Sequence, residues 1–170
     1  MVAEPIVTAQ LRLDPLTVSD VDDMIAVYAD PRMYEFTGGE APTADGLQRR
    51  YESMSIGRSP DGMESWLNWI VRPVGETIAV GALQATVTHP VDPTQTRQAF
   101  IAWEIGVDWQ GRGYAGEAAA AVVAWLAEHS ITAIGAHIHP HHAASQAVAT
   151  RAGLRRTDAM HDGEEVWVVG

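Results

Sequence analysis

The chain has no cysteine among its 170 residues, which removes disulfides, thiolate nucleophiles and zinc–thiolate sites together. It has no apolar run of roughly 18 residues and no basic N-terminal stretch leading into an apolar one. Neither a membrane span nor a leader is therefore expected, and the chain reads as a soluble cytoplasmic protein. Positive charge is scarce: 11 Lys and Arg against 22 Asp and Glu leave a net charge of -11. Nucleic acid is a poor partner for such a surface, because its phosphates would be repelled. The same charge serves plain solubility or the steering of a cationic substrate. There is no Gly-x-x-x-x-Gly-Lys-Ser/Thr, hence no nucleoside-triphosphate loop of that kind. No repeat, low-complexity tract or linker interrupts the chain. What remains, 46% apolar and 19% charged, describes one domain over residues 1–170 with a single buried core, as a monomer or a homodimer.

Pattern gives the order of elements. Residues 9–13 read as a short strand ended by Asp14-Pro15. Thr17-Val18-Ser19-Asp20 opens a helix to about residue 29, with Val18, Val21, Met24, Ile25 and Tyr28 on one face. Residues 33–42, with Gly38-Gly39, form a loop. A second helix covers 44–55, with Leu47, Tyr51 and Met54 inward. Residues 66–72 and 77–88 form a hairpin, 89–96 a loop with two prolines, and 99–107 a strand. A long Ala-rich helix follows over 114–129, with Ala115, Ala118, Val122, Trp125 and Leu126 inward. Residues 133–138 are a strand, 143–152 a helix closed by Gly153, and 154–160 and 164–169 a last hairpin. The order is β-α-α-β-β-β-α-β-α-β-β.

The junction Gln110-Gly111-Arg112-Gly113-Tyr114-Ala115 carries the most information. It joins a strand to a helix, and the first amides of a helix have no intrahelical partner while the dipole favours negative charge there. Gly111 and Gly113 lack the Cβ that would hold a phosphate off the backbone, and Arg112 can add a side-chain contact. A pyrophosphate-bearing ligand is expected at this helix start. Gly111-x-Gly113-x-x-Gly116 matches the dinucleotide pattern literally. That fingerprint, however, needs an early βαβ unit and an acidic residue about 20 positions on, and only Glu128 follows.

Gln110, Gly113 and Ala115 as they stand resemble motif A, Gln/Arg-x-x-Gly-x-Gly/Ala, of the GNAT superfamily of N-acetyltransferases, and the resemblance runs from about Gln10 to Val169. It implies the GNAT fold, an α/β (α+β) arrangement with a mixed central sheet flanked by helices. It also implies acetyl-CoA as cosubstrate, its pyrophosphate held at Gln110, Gly111, Arg112, Gly113, Tyr114 and Ala115. Leu11-Arg12-Leu13, Leu16 to Val21, Tyr28-Ala29-Asp30-Pro31 and the 140–154 stretch are similar to the Rim-type branch, the ribosomal-protein alanine acetyltransferases. The branch's Pro-x-Asn-x-x-Ser-x-x-Val is met by Pro140, Ser145 and Val148, with Gly153-Leu154 after it. His142 stands where asparagine is usual, a position that commonly helps hold pantetheine or the local turn.

The chemistry implied is direct transfer of an acetyl group to a primary amine in a ternary complex. Such transfer needs a neutral amine, a polarised carbonyl and a protonated leaving thiol. Glu104, in its Glu-Ile-Gly setting, matches the family's general base; a strand glutamate can equally satisfy a core polar group. Ser145 matches the branch's general acid; a first-turn serine can equally bond the backbone. Backbone amides at Ile105 and Val107 would polarise the carbonyl, with pantetheine added along the strand edge.

The family builds its acceptor pocket from the first two helices, their loop and the last hairpin, here about 33–42 and 160–164. Tyr34, Glu35, Phe36 and Glu40 could receive an ammonium group. A peptide N-terminus, a polyamine, an aminoglycoside and an amino acid all fit. His137, His139, His141 and His142 alternate so that three would share one face of an extended strand. Without a nearby acidic ligand they read as residues beside the cofactor cleft, and no metal is expected. A non-catalytic acyl-CoA-binding module and a dinucleotide-binding oxidoreductase are the alternative readings.

Overall fold

The computed structural model describes residues 1–92 and 94–170; Pro93, in the expected 89–96 loop, lies outside the described residues. Eight strands are present: β1 (Ile6–Val7), β2 (Leu11–Pro15), β3 (Glu64–Pro73), β4 (Gly81–Thr88), β5 (Gln98–Ile105), β6 (Ala133–Ile138), β7 (Leu154–His161) and β8 (Glu164–Val169). The helices are α1 (Val21–Val27), α2 (Ala44–Met54), α3 (Tyr114–Glu128) and α4 (Ala143–Arg151). All strands share one sheet in the order β1-β2-β3-β4-β5-β6-β8-β7. Only β5 and β6 run parallel. The element order is the expected one with one short strand added in front.

Strand alternation explains both faces of the sheet. Leu83, Ala85 and Val87 of β4 join Leu67, Trp69 and Val71 of β3 on one side. They pack with Ala118, Ala119, Val122, Trp125 and Leu126 of α3, and the Trp69 and Trp125 rings meet edge-on at 5.6 Å. On the other side Ile70 packs with Val21, Met24 and Tyr28 of the α1 segment and Leu47 and Tyr51 of α2. In the registers, Ile70 faces Ala82 and Ala82 faces Glu104. These three residues therefore form a row on the α1–α2 face, and that row places Glu104.

Several boundaries differ from the sequence reading, each for a local reason. Strand β1 has only two residues and exists through its pairing with β2. Strand β2 starts at Leu11 and takes in Asp14-Pro15, because Arg12 and Arg72 neutralise Asp14 at 2.8 and 3.7 Å. The first helix opens as a 3-10 turn, Val18–Asp20, leaving Val18 exposed; Asp20 Oδ2 accepts from the Thr17 amide and hydroxyl at 2.7 and 2.8 Å.

Strand β4 begins at Gly81 and not at Thr77. The buried Arg72 donates through Nε to the Thr77 carbonyl at 2.9 Å, tethering the chain before the ladder resumes at Val80 N–H to Val71 O. Gly81 is required there, since a Cβ would run into the Glu104 carbonyl.

Val107 lies outside β5. The strand ends at Ile105, and Val107–Trp109 coil into a 3-10 turn closed by the Trp109 amide on the Gly106 carbonyl at 2.8 Å. The histidines do not share a strand face: β6 stops at Ile138, and Pro140 cannot extend the ladder. The last hairpin closes across Asp162-Gly163, both at positive φ (48° and 85°), as a type I′ turn requires.

Candidate active site

The glycine junction is a tight turn whose geometry could serve as a cradle for an anion. Gly111 and Gly113 sit at φ 75° and 82°, conformations that side chains rarely adopt. Gly113 is the N-cap of α3, and the first helical bond runs from the Glu117 amide to the Gly113 carbonyl at 3.0 Å. The amides of residues 113–116 therefore have no intrahelical partner. Gln110 fastens the turn to the end of β5, its Nε2 donating to the Ile105 carbonyl at 2.9 Å. Arg112 folds back, its guanidinium 4.5 Å from the Trp109 ring centroid and donating to the Asp108 carbonyl. Tyr114 and Ala115 begin α3, half-buried against the larger core.

Two charges near the cradle escaped the sequence reading. Arg151, at the end of α4, lays its stem across Gly116, where a Cβ would collide with it. Its Nη1 lies 3.4 Å from where a Cβ on Gly113 would be. Gly116, the third glycine of the literal dinucleotide pattern, thus makes room for an arginine, and Arg151 could contact an anion in the cradle. Glu117, one turn into α3, would oppose such an anion. Burial alone would raise its pKa, but bonds from Thr8 Oγ1 (2.6 Å), Gln10 N (2.8 Å) and Gln10 Nε2 (2.6 Å) outweigh that and hold it below the ordinary value. Those bonds turn the carboxylate toward the β1–β2 turn.

A strand edge opens beside the cradle. Strands β5 and β6 pair only as far as Phe100 with Gly135, although β5 continues to Ile105. The Gly106 amide bonds the Val80 carbonyl on the β4 side. By strand alternation the Ile105 amide points the other way, into the opening. Val107 stands just beyond, its carbonyl taken by the Gln110 amide.

Glu104 is half-buried on the opposite face of the same strand end. Its Oε2 accepts from the Tyr28 hydroxyl at 2.6 Å, and Oε1 makes no hydrogen bond among the described residues. Burial first, then the Glu104 charge, push the Tyr28 phenol well above its ordinary value, so it remains a donor. The Tyr34 hydroxyl donates to the Tyr28 carbonyl at 2.9 Å. A narrow cleft opens at Glu104, walled by Tyr28, Arg50, Tyr51, Asn68 and Gln84. None of residues 33–42 or 160–164 lines it. Phe36 instead stacks on His142 at 4.2 Å, and Glu35 and Glu40 are exposed.

At the start of α4, His142 is the N-cap, its Nδ1 accepting a long 3.5 Å bond from the Ser145 amide. It fills the capping role open to an asparagine at this position. Ser145 is half-buried in the first turn, and its hydroxyl makes no hydrogen bond among the described residues. His137 stacks on His161 and lies tilted against Phe100, and His139 lies near Phe36 and His141. Among the described residues no group of three or more His, Asp or Glu could hold a metal ion.

Burial, then a neighbouring histidine, push His142 and His137 below their ordinary value of 6.5. The unfolded chain therefore takes up these protons first as pH falls. Stability is expected to hold above about pH 6.5 and to decline through the interval beneath it. Urea unfolding at about pH 7.5 and 5.5 checks this; the His137→Phe, His142→Asn double variant should decline less.

The acetyltransferase (GNAT) domain family matches residues 10–155, and the chain belongs to that family. It is an acetyltransferase by class, with acetyl-CoA as acyl donor. Among solved structures it is similar to a GNAT-family acetyltransferase from Bacillus anthracis, with 21% identity over 97% of this chain and 95% of that one and a TM-score of 0.70. A ribosomal-protein alpha-N acetyltransferase in complex with coenzyme A is 15% identical over 97% and 96%, with a TM-score of 0.74. An aminoglycoside acetyltransferase in complex with coenzyme A is 20% identical over 94% of both chains, with a TM-score of 0.73. At these identities the likeness is one of fold. No curated protein sequence matches the chain. No helix among the described residues is long and apolar enough to cross a membrane.

Proposed function

We propose that this protein acetylates a primary amine by direct transfer from acetyl-CoA, with Glu104 as general base. The observation that carries this reading is the Tyr28–Glu104 bond at the splayed end of β5, one turn before the glycine cradle. Acetyl-CoA supplies an acyl group already activated as a thioester. The amides of residues 113–116 and Arg151 would hold its pyrophosphate, and the Ile105 and Val107 amides would polarise its carbonyl.

Tyr28 fixes one oxygen of Glu104 and leaves Oε1 to take a proton from the ammonium form of the acceptor. The Ser145 hydroxyl protonates the leaving sulfur. It recovers the proton that the nitrogen sheds as a C–N bond replaces the C–S bond. Tyr28 is a positioning residue in this scheme. His142 sets the α4 cap that presents Ser145. The opening and closing segments favour the Rim-type branch, hence a peptide N-terminus or a small amine. The solved ribosomal-protein and aminoglycoside acetyltransferases of like fold span both.

Thermal unfolding with acetyl-CoA, CoA, NAD and ATP side by side tests the ligand. At about a hundredfold excess over Kd, acetyl-CoA should add about 2.7 kcal/mol, a rise of roughly 5–10 °C. A rise with NAD and none with CoA species would reverse the reading in favour of a dinucleotide site.

A further inference from the structure

The Glu104 cleft carries a positive charge for which the transfer chemistry has no use. Arg50 of α2 lines it together with Glu104 and Tyr28. Arg50 forms no salt bridge or hydrogen bond among the described residues. Among the described residues only Arg12, Arg32, Arg72 and Arg156 hold a carboxylate within 4.0 Å, and what sets Arg50 apart from the other arginines is the cleft it borders. Its charge is felt by the phenols of Tyr28, Tyr34 and Tyr51. Arg50 is exposed at the border of the cleft, where its guanidinium can meet an anion.

A second observation points to a ligand in the same place. The Tyr51 hydroxyl is buried with no hydrogen-bond partner, in a residue only 1% exposed, and it borders the cleft. Its neighbour Tyr28 donates its own proton to Glu104, while the Tyr28 oxygen stays able to accept from Tyr51. Asn68 and Gln84, which face each other across β3 and β4, add amide groups to the wall. The Asn68 amide makes only a long 3.4 Å contact with Trp66 O, and the Gln84 side chain makes no hydrogen bond among the described residues. The cleft therefore has a negative pole at Glu104, a positive pole at Arg50, and neutral polar groups around them. A purely cationic amine would be drawn to the first pole and repelled by the second. A molecule with one charge of each sign satisfies both.

We propose that the acceptor is a small amino acid, its amine toward Glu104 and its carboxylate toward Arg50. This rests on the transfer reading above and narrows its substrate. The reaction is unchanged: the C–N bond forms, the C–S bond breaks, and an N-acetyl amino acid and the free thiol leave.

The test compares free amino acids with their carboxamides, and with amidated peptides beginning with Asp or Glu, in wild-type protein, Arg50→Gln and Arg50→Lys. Thiol release is followed and each product verified by mass spectrometry. Free acids should exceed their amides about 10- to 100-fold in kcat/KM, mainly through KM. Arg50→Gln should erase that preference with acetyl-CoA affinity unchanged, and Arg50→Lys should restore part of it. Amides used as well as acids, or a preference that survives in Arg50→Gln, would overturn the proposal while leaving acetyl transfer intact. Turnover of the Asp or Glu peptides without turnover of free amino acids would overturn the small-molecule assignment. Failure of every amine despite bound acetyl-CoA would overturn the transfer reading, and this proposal with it.

Discussion

Glu104→Gln should bind acetyl-CoA within about twofold of wild type and lose roughly two to three orders of magnitude in kcat, the range removed with a general base. Gln is isosteric and can still accept from the Tyr28 hydroxyl, so the cleft wall stays in place. What disappears is the proton acceptor at Oε1. Tyr28→Phe removes only the donor that orients the carboxylate, and should fall between, at about tenfold. Steady-state kinetics with calorimetric titration of acetyl-CoA separates the two effects. An unaltered rate in Glu104→Gln would take this residue out of the mechanism.

Gly113→Val should weaken acetyl-CoA by about a hundredfold or more. Residue 113 sits at φ 82°, which a β-branched side chain does not adopt without strain. Its Cβ would enter the space beneath the Arg151 guanidinium. Both effects close the cradle to a pyrophosphate. The strain also costs stability, of order 1–3 kcal/mol. Arg151→Gln is the control that leaves the backbone alone, and should weaken acetyl-CoA about tenfold with little change in Tm. Calorimetric titration checks both. Normal affinity in a folded Gly113→Val protein would move the cofactor site elsewhere.

Helix α3, strand β6 and the last hairpin were legible in the sequence because each carries a strong local signal. The first has an Ala-rich face behind Gly113, the second a short segment ended ahead of Pro140, the third Asp162-Gly163 at its turn. The turn at Gly111 and Gly113 is legible for the same reason. Strand β1 was not: two residues carry no period, and their conformation comes from the neighbouring strand. Tyr28 was read as a core residue, and its ring is one. The hydroxyl's bond to Glu104, 76 positions away, is a tertiary fact that a helical face does not announce. Arg151 reaches the cradle only because α4 packs over Gly116, which the sequence presents as part of a glycine pattern. The histidine alternation misled because Pro140 ends the extended stretch before a third residue can align. Arg50 was invisible as well, one of two adjacent arginines on α2 whose distinction is the cleft it borders.

The chain contains no lysine. No side-chain amine of the protein can therefore take up acetyl groups and confuse a transfer assay. The most direct measurement is to incubate the protein with acetyl-CoA and a panel of primary amines, and to quantify free CoA thiol and acetylated amine together. One acetylated amine for each thiol released, with both falling together in Glu104→Gln, is the predicted result. Thiol release without an acetylated amine, or transfer indifferent to Glu104, would contradict amine acetylation by this site.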